Sequence, residues 1–262
     1  MRCLVRGIGD VGSAVAHALR DAGHEVAIHD SPQPTTHRRG MAFADAMFDG
    51  RATLVGIEAR KIGKPGELAG LWAQDLIVVY SGLLDDLQKL IPWDVLVDAR
   101  MRKRHQAEDQ RSLAGLVIGL GPGFTVGENC HRAVETGWDR LGAIVKAGST
   151  EPLRGEPRSI LGHARDRLLY APRSGAFTTD RKIGESVRQG QTIAAIDGQP
   201  LIAPLSGILR GLTRSSIPVE TGMKLVEVDP RGDPASAFGL GERPQRIAEA
   251  ILQILAAASR PV

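Results

Sequence analysis

Cysteine is almost absent: the chain has two, Cys3 and Cys130. Two thiols so far apart in sequence make neither a disulfide framework nor a zinc motif. Cys3 lies inside an apolar strand pattern and reads as core; Cys130 precedes His131, which keeps a thiol or metal reading open beside the packing one. Aromatic residues make up 4% and do not interleave with the charges, against the stacking platform of a single-strand nucleic-acid binder. A charge surplus is lacking too, since 33 basic and 30 acidic residues leave +3, too little to argue for nucleic acid. No stretch approaches the roughly 18 apolar residues of a membrane span, and MRCLVRGIG runs straight into a strand pattern. The expectation is a cytoplasmic protein with no membrane or nucleic-acid partner. There is no Gly-x-Ser-x-Gly elbow and no His-Glu-x-x-His pair, and the seven histidines are dispersed. No reaction and no metal site are specified.

What is present is an ordinary globular composition, 42% hydrophobic over 262 residues, with 31 glycines clustered beside apolar runs. CLVRG reads as strand, DVGSAVAHALRDAG as a helix ending at Gly23, and EVAIHD as strand. FADAMFDG (helix), ATLVGIEA (strand), GELAGLWAQ (helix), LIVVY (strand), LLDDLQKL (helix), DVLVDA (strand) and LAGLVIGLG (strand) continue the alternation. This is the pattern of an α/β fold, a mainly parallel sheet with ligands beyond the carboxyl ends of its strands. Residues 1–150 are expected to form a Rossmann-like nucleotide- or cofactor-binding domain.

The second half repeats itself at an offset of 32 residues, APRSG at Ala171–Gly175 recurring as APLSG at Ala203–Gly207. At the same offset Val187 matches Val219, Gly190 matches Gly222, Ile193 matches Leu225, Ile196 matches Val228 and Asp197 matches Asp229. Short strands joined by glycine turns predict two quasi-equivalent halves packed as a small β-sandwich. The arrangement resembles the barrel-sandwich hybrid of biotinyl and lipoyl carrier domains, placed at 165–233. A carrier shows its modified lysine at the hairpin between the halves; here that hairpin is Asp197-Gly198-Gln199-Pro200, so no biotin or lipoate is expected. Last comes a helix at 242–258, with Ile247, Ile251, Ile254 and Leu255 on one face for docking.

The strongest chemical signal is Gly7-x-Gly9-x-x-Gly12, after a strand and opening a helix, where glycines let the backbone approach an anion. Asp30 closes the second strand, where an acid meets a ribose hydroxyl in nicotinamide-dinucleotide sites. Asp10 sits inside the loop, where its charge faces a pyrophosphate unless it caps the helix or holds a metal. A second loop, VIGLGPGFTVGEN, carries Gly119, Gly121 and Gly123, either a second backbone nest for the same anion or a plain turn. Arg38 and Arg39 follow the second strand, and RMRKRH at Arg100–His105 follows DVLVDA; both clusters read as phosphate contacts or as solvated loop charges. Asp98 is a candidate base or ligand contact, or a loop-bonding residue. Asp229, Arg231 and Asp233 in VDPRGD suggest a local salt-bridged turn.

Taken in order, GxGDxxxxxAHxL, PxxxRRxxxFADAxFDG, VLVDA, LVIGLGPGFTVGENCHxxxET, the duplicated AP…G module and VDPRGD resemble the selenium-dependent molybdenum hydroxylase system accessory proteins. Their N-terminal domain is similar to that of the xanthine dehydrogenase accessory proteins. The resemblance implies maturation of a molybdenum hydroxylase: an anionic molybdopterin-type cofactor or nucleotide, bound and presented to the apo-hydroxylase by an accessory protein rather than a classical catalyst. Carried onto this chain, the contacts would be Gly7, Gly9, Asp10, Gly12, Arg38, Arg39, Asp98, Gly119, Gly121, Gly123 and His131. Two alternatives stand beside it: an NAD(P)-dependent oxidoreductase using Asp30 for the ribose, and a non-catalytic scaffold with a vestigial nucleotide fold.

Overall fold

A computed structural model describes residues 1–102, 106–152 and 157–258. The chain divides into two compact units, one of Met1–Pro34, Ala42–Arg154 and Leu240–Val262, the other of Thr35–Met41 and Gly155–Gly239. Together they make a mixed α/β architecture with one large, mostly parallel sheet and several small antiparallel sheets. No helix among the described residues is long and apolar enough to cross a membrane.

The first unit runs β1 (Arg2–Arg6), α1 (Asp10–Asp21), β2 (Glu25–His29), α2 (Ala46–Asp49), β3 (Arg51–Leu54), β4 (Ile57–Lys61), α3 (Leu68–Trp72), β5 (Ile77–Tyr80), α4 (Leu84–Leu90) and β6 (Val95–Asp98). It continues through β7 (Leu116–Leu120), β8 (Thr125–Val126), β9 (Arg132–Val134), β10 (Ile144–Val145) and β11 (Gly148–Ser149). The nine-stranded sheet has the order β10-β9-β7-β6-β1-β2-β5-β4-β3, antiparallel only at its two outermost pairs. From β1 the chain builds outward through β2 on one side, then returns to β6 on the other. The carboxyl ends of β1 and β6 therefore flank a topological switch point, the place where open parallel sheets receive ligands.

The central strands carry unbroken apolar runs because both faces are covered. Cys3 and Val5 face one core with Val11, Val15 and Leu19 of α1; Leu4 faces the other with Trp72, Trp93 and Cys130. Burying each large aliphatic side chain contributes about 1.5–3 kcal/mol. The two cysteines are free and buried, and burial pushes their thiols up to about 12 for Cys3 and about 11 for Cys130. Such protonated thiols are poor nucleophiles and poor metal ligands. The final helix, α5 (Glu242–Ala258), buries Ile247, Ile251, Ile254 and Leu255 in the α1 core.

ATLVGIEA departs from the single strand expected of it. It is the hairpin β3–β4, turning at Val55 (φ 45°) and Gly56 (φ 81°). Two left-handed residues in succession match the right-handed twist of the flanking strands, but a β-branched residue is a poor sequence signal for that conformation.

The second unit contains β12 (Leu168–Tyr170), β13 (Gly175–Thr178), β14 (Ser186–Val187), β15 (Thr192–Ile196), β16 (Gln199–Ile202), β17 (Gly207–Leu212), β18 (Ile217–Val219) and β19 (Lys224–Asp229). Its two antiparallel sheets have the orders β12-β19-β17-β14 and β16-β15-β13-β18. Shifting each strand of one sheet by 32 residues gives its counterpart in the other, so the repeat is also a structural two-fold. The halves are interleaved, each sheet drawing strands from both, which corrects the expectation of one half stacked on the other. Phe177 and its counterpart Leu209 are both fully buried in the shared core.

Candidate ligand site

At the end of β1, the Gly7 N–H donates to the His29 carbonyl at 2.9 Å. Gly7 holds φ +111°, and a Cβ there would lie 2.7 Å from the Ala99 carbonyl oxygen. A Cβ on Gly12 would lie 1.9 Å from the Gly7 carbonyl oxygen, so strand and helix can meet this closely only without a side chain. Gly9 is different. It is the N-cap of α1 with φ −65°, offers no side-chain cap, and a Cβ on it would meet nothing within 4 Å. Neither its conformation nor packing among the described residues requires glycine there.

Asp10 is the first helical residue rather than the cap, and its Oδ1 accepts from the N–H of Val11 at 3.0 Å. The capping expectation is corrected; an acid in the first turn still favours the helix dipole. Asp30 closes over the same turn, Oδ2 accepting from the Ile8 N–H at 2.7 Å and Oδ1 from the Ser31 N–H at 2.7 Å. It shapes the glycine turn by holding its backbone.

Behind the turn, Arg6 and Asp98 stand side by side at the ends of β1 and β6. Arg100 Nε donates to Asp98 Oδ1 at 2.9 Å and its Nη2 to Oδ2 at 2.5 Å; Gln110 Nε2 donates to Oδ2 at 2.7 Å. Arg6 Nη1 donates to Gln110 Oε1 at 2.5 Å and Glu108 Oε1 at 2.9 Å, while Arg100 and Arg102 also bind Glu108. Burial alone would raise the Asp98 pKa, but the hydrogen bonds and charge of Arg100 outweigh it and hold the carboxyl below its ordinary value. A carboxylate so held is a weak base, and its oxygens are already engaged in bonding the loop. Of the basic run at Arg100–His105, residues 103–105 lie outside the described residues.

The second glycine loop is closed by its own bonds. Gly119 lies within β7 against the Phe124 ring, where a Cβ would come within 2.1 Å of it. The Gly121 N–H donates to Val134 O at 3.0 Å, and the Gly123 carbonyl accepts from the Ala107 N–H and from Asn129 Nδ2. Of the two readings of this loop, its bonds fit the plain turn, since the Gly121 donor is already engaged. His131 exchanges bonds with Val117, its N–H donating to the Val117 carbonyl and its Nδ1 accepting from the Val117 N–H, both at 2.9 Å. It bonds the strand edge.

Arg38 and Arg39 belong to Thr35–Met41 and so to the second unit. Arg38 Nε and Nη2 donate to the two oxygens of Glu227 at 2.7 and 3.1 Å, and Arg39 Nε donates to the Leu212 carbonyl at 2.9 Å. The phosphate-clamp expectation is corrected, since these guanidinium edges are committed to protein acceptors. The network they enter was not legible in the sequence. Glu227 is fully buried and also takes Arg167 Nη1; Asp229, fully buried, is bound by Arg231 through Nε and Nη2. One local signal was available. Asp98–Arg100, Asp109–Arg111 and Asp229–Arg231 share the spacing Asp-x-Arg and the same geometry, the carboxylate receiving the arginine's backbone N–H and two of its guanidinium donors. Among the described residues, no group of three or more His, Cys, Asp or Glu side chains is arranged to hold a metal ion.

No family model matches the chain. A curated relative, the Uncharacterized protein YqeB of Escherichia coli K12, is 34% identical over 259 residues, 96% of this chain and 47% of that protein. The chain thus spans about half the length of the relative it matches. Among solved structures, it is similar to a succinylglutamate desuccinylase/aspartoacylase from Rhodobacter sphaeroides (23% identity, 32% of this chain, 30% of that one, TM-score 0.22). An aspartoacylase family protein from Mesorhizobium loti covers 77% of this chain and 56% of its own at 12% identity and TM-score 0.24. The ectoine utilization protein EutE from Ruegeria pomeroyi covers 87% and 85% at 14% identity and TM-score 0.27. These similarities are too slight to argue an activity. The expectation of a molybdenum-hydroxylase maturation protein, with its selenium link and its cofactor-presenting role, is corrected by the site itself: Arg38 and Arg39, carried over as its phosphate contacts, donate to Glu227 and to the Leu212 carbonyl.

Proposed function

We propose that the first unit binds a phosphate-bearing small molecule at the turn between β1 and α1. The observation that carries this reading is Gly9, a glycine that none of the described residues around it requires. Its missing side chain leaves open space at the N-terminus of a 12-residue helix, where backbone N–H groups and the helix dipole favour an anion. Strand order supports it, because the turn lies at the switch point of a Rossmann-like sheet. The second unit, in this reading, is a barrel-sandwich hybrid without a carrier's lysine.

The test separates binding from folding. Gly9→Asp supplies a good N-cap and places a negative charge where the phosphate would sit. Its stability is expected to stay level or rise by about 0.3 kcal/mol, while ADP or inorganic pyrophosphate binds at least about tenfold more weakly, a 1.4 kcal/mol loss, by calorimetry. Equal affinity in wild type and Gly9→Asp, or no saturable binding in wild type, would overturn the reading. Gly12→Ala should behave in the opposite sense, costing about 1–3 kcal/mol of stability because the new methyl meets backbone, measured as a lowered urea midpoint.

A further inference from the structure

The internal repeat supplies its own control for the charged network of the second unit. Arg210 of β17 corresponds to Thr178 of β13, and Glu227 of β19 to Ala195 of β15. Thr178 pairs with Ala195 as the second half brings β17 beside Glu227. At these two positions the same fold is thus built once with small neutral side chains and once with charges, while Asp229 keeps an acid counterpart in Asp197, so the fold itself does not call for Arg210 or Glu227.

Once Arg38 and Arg167 have bound Glu227 and Arg231 has bound Asp229, both buried carboxylates are served. Arg210 comes in addition. Its Nη1 lies 3.5 Å from Asp229 Oδ2 and 3.8 Å from Glu227 Oε1, an electrostatic contact without hydrogen-bond geometry. Its Nε is buried with no hydrogen-bond partner among the described residues, and its side chain is 15% exposed. Four arginines thus surround two carboxylates, and a partly desolvated guanidinium keeps donors unused, a costly arrangement unless an acceptor arrives.

We propose that Arg210 is the receptor for an oxyanion, a carboxylate or phosphate group, with Arg38 and Arg231 supplying the surrounding positive field. Glu227 and Asp229 hold those two arginines in place. A planar guanidinium presents paired donors that match either anion, and Thr178 marks the position as free of such a role in the other half.

The experiment is an NMR titration of the arginine Nε–H signals of the full chain with inorganic phosphate and, separately, with acetate, sodium chloride holding ionic strength constant. It is run in wild type and in the Gly9→Asp background, so that binding at the β1–α1 turn does not enter. Arg210→Thr, which installs the residue of the other half, identifies the Arg210 signal by its loss. The expected result is a saturable shift of that signal with at least one anion, and a rise in melting temperature with that anion that is lost in Arg210→Thr and partly kept in Arg210→Lys. Saturation by phosphate alone or acetate alone identifies which oxyanion the site takes. An Arg210 signal unmoved by both anions, or an equal anion-dependent melting shift in Arg210→Thr, overturns the proposal. The titration of unaltered Arg210 decides the matter even if the threonine variant folds poorly.

Discussion

Glu227→Ala is expected to destabilise the second unit by about 3–5 kcal/mol, the usual cost of removing one partner of a buried ion pair. The alanine itself fits the strand, since Ala195 occupies the corresponding place in the other half. The penalty comes from what is left behind: Arg167, its side chain 4% exposed, and Arg38 both lose their carboxylate. Arg167→Gln combined with Glu227→Ala should therefore cost less than the two single substitutions together, a coupling that a double-mutant cycle in urea reads directly. Equal additive losses would show that Arg167 is served by other acceptors. Acid should reproduce the effect. Burial pushes Glu227 up, but the charge and hydrogen bonds of Arg38, with His37 3.6 Å away, outweigh it and hold the group well below 4.5. With the folded value depressed, the stabilisation is complete above the ordinary carboxylate value and is lost as pH falls from there toward the folded one.

The elements most readable in the sequence were those fixed by local pattern. Val11, Val15 and Leu19 repeat at helical spacing behind the glycine turn, and Ile247, Ile251, Ile254 and Leu255 do the same in α5; all are buried. The features that escaped are set by non-local packing. In β19 Glu227 stands two residues before Asp229; the sequence suggested a salt-bridged turn for Asp229 with Arg231 and gave no sign that Glu227 is buried. Both acids are buried because Arg38 and its neighbours from Thr35–Met41, together with Arg167 and Arg210, meet them across the unit, and no local window contains those partners. The glycine turn shows the opposite balance. Its spacing raised the question, yet only the folded structure distinguishes Gly7 and Gly12, which packing demands, from Gly9, which packing among the described residues does not.

Asp98→Ala should be comparably severe in the first unit, again about 3–5 kcal/mol, and its consequences extend to the candidate site. Asp98 precedes Ala99, whose carbonyl lies under Gly7 and whose Cβ would be 3.3 Å from a Cβ on Gly12. Removing the carboxylate strands Arg100 and Gln110, and through Gln110 it loosens Arg6 at the end of β1. The backbone beneath the glycine turn then loses its lateral support, so ADP affinity should fall together with the urea midpoint. Asp98→Asn keeps an acceptor and the shape but not the charge, and is expected to retain a larger share of both. The pH dependence has the same sign as at Glu227: the depressed Asp98 value stabilises fully above the ordinary carboxylate range, and that contribution fades as acid protonates the group. In Asp98→Asn the acid limb of the stability profile should flatten. An unchanged limb would assign acid sensitivity to Glu108, which burial pushes up but Arg102 and Arg100 hold well below its ordinary value, and would leave Asp98 a contributor of hydrogen bonds rather than of charge.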